Sequence, residues 1–395
     1  MPSAVSRQVW IIAIGVGFVM AGLTLVAPIL PLYALEFGVS YTAAGALITG
    51  FAVARLLFSV IGGVAGDRWG ARKVTVFGTT LLAISSVTAA LAPNYGVLLA
   101  SRFIEGIGSA IFATTAFQYL LQVTPKERLG RATAAFQTGL LVGVAIGPFV
   151  GGFLAELGDF RTPFWAYAVL AGFVAVLAWF FIEDLPSRGT SARQVFAAAG
   201  QLMRSRAYLA LMLVGFSMMF MRGGARVTLL PLYAEQSLGF GAGDIGILLS
   251  VSALTNLLIV NPAGRFVDRV GRKPVAMIGL TTAAIATAGY GLFESFTGLL
   301  VVSMVFGVTS GMASIAPPTM VGDLAPEGAE GSAVGVYRMS GDLGFVIGPL
   351  VLGAIADTGA FTAGFFVTGA VMLVAAALLS FVPETRRSSV AESVS

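Results

Sequence analysis

The sequence predicts an all-α membrane protein of twelve transmembrane helices arranged as two pseudo-symmetric six-helix bundles. Composition is the first ground. Of 395 residues, 57% are hydrophobic and only 11% charged, with a mean hydropathy of +0.91. A water-soluble chain carries about 25% charged residues, so the solvent for most of this surface is lipid. The second ground is pattern: the apolar residues fall in long runs that lack the period-two alternation of a lipid-facing strand. Lipid admits only helices and closed barrels, so the runs are helices. The third is repetition. Leu30-Pro31-Leu32-Tyr33-Ala34 matches Leu230-Pro231-Leu232-Tyr233-Ala234 at an offset of 200, and Asp67-Arg68 matches Asp268-Arg269 at 201, as Gly147-Pro148 matches Gly348-Pro349. A constant offset across separated blocks marks a duplicated unit. Equal halves in parallel predict a two-fold along the membrane normal, with a binding site where they meet.

Each span is then cut at charged or turn-rich breaks, a crossing needing about 20 apolar residues. The first run, 9–35, follows Arg7 like a signal peptide but exceeds the roughly 7–15 residues of a cleavable apolar region, so it is an uncleaved span. Spans near 42–66, 74–92, 96–122, 132–156 and 163–182 complete an N-terminal bundle over 1–182. The segment 183–206 is the longest polar stretch and reads as a cytoplasmic linker, its Val195–Met203 part as a short surface helix. Spans near 207–234, 244–266, 274–293, 297–321, 332–356 and 361–382 form the C-terminal bundle over 207–395.

Charge sets the orientation. One face holds Arg7; Arg68, Arg72, Lys73; Lys126, Arg128, Arg131; Arg188, Arg193, Arg204, Arg206; Arg265, Arg269, Arg272, Lys273; and Arg386, Arg387. That is seventeen of the 23 basic residues, against Arg161 alone on the other face. Basic loops stay in the cytoplasm, so both termini are expected there, in a multi-pass protein of the inner (cytoplasmic) membrane. The same bias accounts for the pI near 9.5 without any nucleic-acid partner. The chain has no Cys and no His. Disulfides and thiolate metal sites are excluded, the imidazole proton carrier is missing, and proton handling falls to carboxylates. No cofactor or metal is expected; the expected partners are the bilayer, a small-molecule substrate and protons, with the chain a monomer.

The charged turn Gly63-Val64-Ala65-Gly66-Asp67-Arg68-Trp69-Gly70-Ala71-Arg72-Lys73 recurs as Gly264-Arg265-Phe266-Val267-Asp268-Arg269-Val270-Gly271-Arg272-Lys273. Its glycines let two helix ends approach, and its Arg and Lys hold the loop at the surface. The pattern resembles the loop between helices two and three of the major facilitator superfamily of secondary transporters. That resemblance implies a cytoplasmic gate in which Asp67 faces the start of span eleven, near Gly331–Ala333, whose free N–H groups attract a carboxylate. Glu127 is then a candidate partner for Arg72.

Span four carries Arg102-Phe103-Ile104-Glu105-Gly106, similar to the family's Arg-x-x-x-Gly signature, in which the Arg is implicated in proton transfer. Arg102 and Glu105 are three apart on one face and can neutralise each other, which leaves a structural pair as the alternative. Span five reads Gly139-x-x-x-Gly143-x-x-x-Gly147-Pro148-x-x-Gly151-Gly152. Small residues every four positions form a packing groove, and Pro148 bends the helix. This resembles the signature of the drug:proton antiporter group, and span eleven repeats it more weakly at Gly344, Gly348, Pro349 and Gly353.

Five arginines fall inside spans, against two acids, Glu105 and Asp342. Arg222 and Arg226 share a face of span seven, which lines the cavity in the family architecture. Arg338 and Asp342 share a face of span eleven and are expected to pair. Arg55, Arg338 and Gln118 are further cavity candidates, and Asp342 joins Arg102 and Glu105 as a coupling candidate; Gln118, Gln122 and Asn256 serve either substrate or helix packing. The resemblance implies alternating access coupled to an ion gradient, and no P-loop for ATP is present. The leading reading is a proton-coupled antiporter exporting a small lipophilic molecule. Because basic residues outnumber acids in the spans, a carrier of organic anions, by export or uptake, is the second reading. A transporter-like sensor without turnover is the third.

Overall fold

The computed structural model describes residues 7–125, 128–183, 203, 205–325 and 330–385. Helices dominate: α1 Arg7–Leu25, α2 Leu30–Leu35, α3 Tyr41–Trp69, α4 Ala71–Ala90, α5 Tyr95–Val123, α6 Leu129–Leu157 and α7 Thr162–Phe181 form the first half. The second comprises α8 Arg206–Phe220, a π-helical segment Met221–Leu229, α9 Leu230–Gln236, α10 Ala242–Val270, α11 Arg272–Gly289, α12 Phe296–Leu324, α13 Glu330–Asp357 and α14 Phe361–Leu379. Among the described residues, eleven spans are long and apolar enough to cross a membrane. The expected ninth span is α11; Arg272 and Lys273 at its start dilute its apolar content. The expected surface helix at Val195–Met203 lies outside the described residues apart from its last one.

Proline explains why the first and seventh spans are not single helices. Pro28 has no N–H to give and its ring crowds the carbonyl four residues back, and the chain breaks between Leu25 and Leu30. In the second half Pro231 raises the same problem, and the helix answers by widening. Through Met221–Leu229 the Thr228 hydroxyl donates to Gly223 O at 2.8 Å and the Leu230 N–H to Ala225 O. Such π-turns inside helices concentrate at functional sites.

Each half buries its own apolar core, one from Val9 to Ile182 and the other from Tyr208 to Val382, with Ala242 and Leu32 as the residues lent across. The helix pairings repeat as the sequence does. In the first half α1 packs on α6 and α7, α5 on α3 and α4, and α4 on α7; in the second, α8 packs on α13 and α14, α12 on α10 and α11, and α11 on α14. The glycine row of α6 is the surface that lets α1 in. A methyl group on Gly139, Gly143, Gly147 or Gly151 would overlap the backbone of Ala13, Gly17, Ala21 or Leu25 in turn. The halves meet along two seams, α3 against α13 and α6 against α10, which are each other's image under the repeat.

At one end of the bundle lie the charged turns. Gly70 and Gly271 close them with φ of 89° and 116°, a region open to glycine and costly for other residues. That end is the basic end below; the opposite one is the far end.

Candidate functional site

The seams are closed at the far end, and closed in duplicate. On the first, Gly45 abuts the Pro349 carbonyl; on the second, Gly246 abuts that of Pro148, and in each case a side chain would not fit. Gly353 rests on Tyr41 and Thr42 as Gly152 rests on Ala242 and Gly243. Thr49 Oγ1 donates to Val346 O at 2.7 Å, while its repeat mate Ser250 accepts the Phe149 N–H at 2.8 Å. Outermost, Asp357 at the end of α13 accepts the Tyr41 and Thr42 N–H groups at 2.7 and 3.1 Å, together with the Thr42 hydroxyl. Glu156, at the end of α6, accepts the Gly243 N–H at 2.9 Å. Both carboxylates meet the positive end of a helix dipole belonging to the opposite half. Glu156 and Asp357 are 201 residues apart, as are Thr42 and Gly243. Of this zipper, the sequence reading found Pro148, Gly152, Pro349 and Gly353. It missed Glu156, Asp357, Gly45, Gly246 and the two hydroxyls, although the offset that exposed the charged turns marks them too.

At mid-depth the seam changes character. Arg55 lies fourteen residues from the far end of α3, about 21 Å at 1.5 Å per residue. It meets Asp342 of α13 at 3.8 Å, and the two side chains are 48% and 30% exposed. This corrects the expected Arg338–Asp342 pair. Within a helix the favourable order places the acid before the base, here it is reversed, and Arg55 reaches Asp342 across the seam. Arg338, one turn nearer the basic end, is exposed. A guanidinium facing lipid at this depth costs about 2.5–3.5 kcal/mol even on the gentlest scale, so exposed charges on the seam face water.

The second-half arginines part company. Arg222 is half-buried beside the seam, within electrostatic reach of Arg55. Arg226 turns into its own half: it donates to Leu249 O at 2.7 Å, beside Thr287, Tyr290 and Phe306, and its Nε has no acceptor among the described residues. The expected shared face is thus divided between seam and interior. Arg102 and Glu105 form a buried ion pair in the first half, the guanidinium also lying 5.4 Å from the centre of the Phe51 ring. Gln118 is half-buried on α5 and has no hydrogen-bond partner among the described residues. Asn256 donates to Ser310 at 3.2 Å and so joins α10 to α12, the packing alternative.

At the basic end, Arg72 donates through Nε to Ile182 O at 2.6 Å, and its repeat mate Lys273 through Nζ to Ser380 O at 2.6 Å. Arg272 pairs with Asp323, and Glu384 accepts the Arg272 and Lys273 N–H groups at 3.1 and 3.0 Å. Each charged turn is thereby tied to the last helix of its own half. Arg68 and Arg269 are exposed. The side chains of Asp67 and Asp268, the surroundings of Gly63, Glu127 and the residues Asp67 was expected to face lie outside the described set, Ala333 excepted.

The sequence matches the family model of the Major Facilitator Superfamily over residues 12–259 and 211–394. It is 25% identical over 348 residues to multidrug resistance protein 2 of Bacillus subtilis, covering 85% of each chain. It is 22% identical over 355 residues to the quinolone resistance protein NorA of Staphylococcus aureus, covering 89% of this chain and 90% of that one. Among solved structures, a bacterial homologue of the human lysosomal transporter Spinster, inward-facing and occupied, superposes with a TM-score of 0.80 over 96% of this chain and 98% of its own, at 16% identity. Duplicated bundles, paired seams and a charged turn in each half agree with that match, and the chain belongs to the major facilitator superfamily of membrane transporters.

Proposed function

We propose that this transporter is a proton-coupled exporter of small lipophilic molecules, working by alternating access in the cytoplasmic membrane as a monomer with both termini cytoplasmic. The observation that carries the reading is the Arg55–Asp342 pair, exposed at mid-depth on a seam that is zipped shut beyond it. Water must enter from one side only. With the basic end in the cytoplasm, as the loop charges require, that side is cytoplasmic, and the molecule is poised inward-facing. The glycine row of α6 and the resistance names of the relatives support export over uptake. Among the described residues, the carboxylates able to carry a proton at depth are Glu105 and Asp342, each beside a guanidinium that stays charged and loses its counter-charge when the acid is protonated.

The test is flux into proteoliposomes under an imposed pH gradient, with a quinolone and a neutral lipophilic dye as substrates. Gradient-driven accumulation that collapses with a protonophore, and fails in Glu105→Gln or Asp342→Asn, is the expected result. Accumulation indifferent to the gradient refutes the coupling, and binding without accumulation refutes transport.

A further inference from the structure

We infer that the mid-depth seam holds a binding site for an organic anion, a hydrophobic carboxylate or sulfonate, with Arg222 as its principal ligand; the inference rests on the alternating-access reading but not on the direction of export. Arg55 and Arg338 lie within electrostatic reach of Asp342, the one carboxylate the described residues bring to this level, and Arg222 lies within reach of Arg55. One positive charge is answered and two are not. Glu105 cannot help, since it is buried with Arg102 inside the first half. Charge left over at membrane depth faces water or a counter-charge.

Arg222 is the best placed to give that counter-charge its hydrogen bonds. It opens the π-helical segment, and the next two residues, Gly223 and Gly224, lie so close to α13 that a methyl group on either would press on Phe345 or on the Gly348 backbone. The segment is therefore pinned against the helix that carries Asp342, one turn from it, with Arg222 at the edge facing Arg55. Arg222 has no hydrogen bond or ion pair among the described residues, although Arg226, four positions on, has used part of its guanidinium on Leu249 O. On the surrounding helix faces, Phe345 packs on Gly223 and Met219 on Gly341, partly buried apolar side chains that suit the hydrocarbon body of an amphiphile. A planar guanidinium matches a carboxylate or sulfonate in a two-point contact. A cationic drug would instead face three like charges.

The experiment compares three probes of one shape, 1-naphthoate, the neutral 1-naphthamide and the cation 1-naphthylmethylammonium, by equilibrium dialysis against the full chain in nanodiscs. Naphthoate is expected to bind about tenfold or more tighter than the amide, and the cation least. Arg222→Gln should erase the preference while leaving the amide unchanged, and Arg222→Lys should keep part of it. Asp342→Asn removes the competing carboxylate and should tighten naphthoate by about tenfold, a gain that misfolding cannot mimic. Equal binding of acid and amide, no saturable binding of naphthoate, a preference that survives Arg222→Gln, or no gain in Asp342→Asn would each overturn the site. The two readings fail separately: naphthoate preference without gradient-driven flux removes the exporter and leaves the site, while driven flux without the preference removes the site and leaves the exporter.

Discussion

The paired carboxylates at the far end lead to the sharpest prediction. Asp357 accepts two backbone N–H groups of α3 and Glu156 one of α10, all across the seams. A hydrogen bond to a charged group contributes about 1.5–3 kcal/mol when shielded, and a charge at a helix end about 0.3–1 kcal/mol. Both acids are exposed, and exposed ion contacts retain only a fraction of such values. About 1 kcal/mol per carboxylate is the resulting figure. The two sit on different seams and share no partner, so their effects add. Removing both, as Glu156→Ala with Asp357→Ala, should cost the closed far end about 2 kcal/mol, a shift of about 30-fold in the ratio of closed to open molecules.

The assay is favoured by a chain without cysteine. Spin labels at Pro93→Cys and Glu294→Cys, exposed far-end positions 201 residues apart, report the separation of the halves by double electron–electron resonance. In the parent the short distance should dominate; in the double variant a longer one should grow, with each single variant about halfway in free energy. At about 1 M salt the Debye length falls to about 3 Å, and the parent should move the same way. An unchanged distance distribution in the double variant refutes the latch. A lowered melting temperature with no change in distance would refute it as well, since the carboxylates would then stabilise the fold without regard to state.

Four further outcomes follow from the same contacts. Gly45→Val or Gly246→Val inserts a side chain where Pro349 or Pro148 leaves no space; overpacking costs about 1–3 kcal/mol, and either variant should populate the open far end by spin-label distance and lose flux. Thr49→Val and Ser250→Ala each remove one cross-seam hydrogen bond, about 0.5–1.5 kcal/mol, and should shift the same distances by a smaller, matched amount. Breaking the buried pair by Arg102→Gln should lower stability by about 3–5 kcal/mol in a denaturation series, with Arg102→Leu/Glu105→Leu milder because no lone charge remains; equal losses would show that burial of charge is not the cause. Asp67→Asn is expected to lower transport by loosening the basic-end gate, and unchanged flux with unchanged cysteine accessibility at that end would refute the role drawn from the repeated turn.

The membrane fold was legible because it rests on averages: long apolar runs, few charges, a repeated offset. The packing of α6 on α1 was also legible, since glycines every four residues can serve little else. The seam was harder to read. Asp357 and Glu156 carry no local signal of their role, because the helix starts they face lie 316 and 87 residues away in the chain. Arg55 found its acid in the other half, where sequence proximity had suggested Arg338. Arg226 turns into its own half from a π-helical segment, a change of pitch that no side-chain pattern announces. In each case the deciding partner was distant in sequence and the competing local partner was plausible.

The repeat separates scaffold from chemistry. The main contacts that zip the far end have mates at the same offset, Gly45 and Gly246, Pro148 and Pro349, Thr49 and Ser250, Glu156 and Asp357, while the Thr42 hydroxyl, matched by Gly243, has none. Two halves that rock against each other about a shared axis must open both seams together, so a contact strengthened on one seam alone would twist the motion. The mid-depth charges obey no such rule. At the matching position Arg55 has Asn256, Asp342 has Leu141, Arg222 (on the span whose offset is 200) has Gly22, Arg338 has Gln137, and the pair Arg102 and Glu105 has Ser303 and Phe306. A substrate lying on a pseudo-two-fold axis is not itself symmetric, and the groups that grip it or carry its proton need occur only once. A single copy of each mid-depth charge, between far-end contacts that occur in pairs, is what recognition of an asymmetric guest requires. It places the search for specificity on those six positions before any apolar residue of the wall.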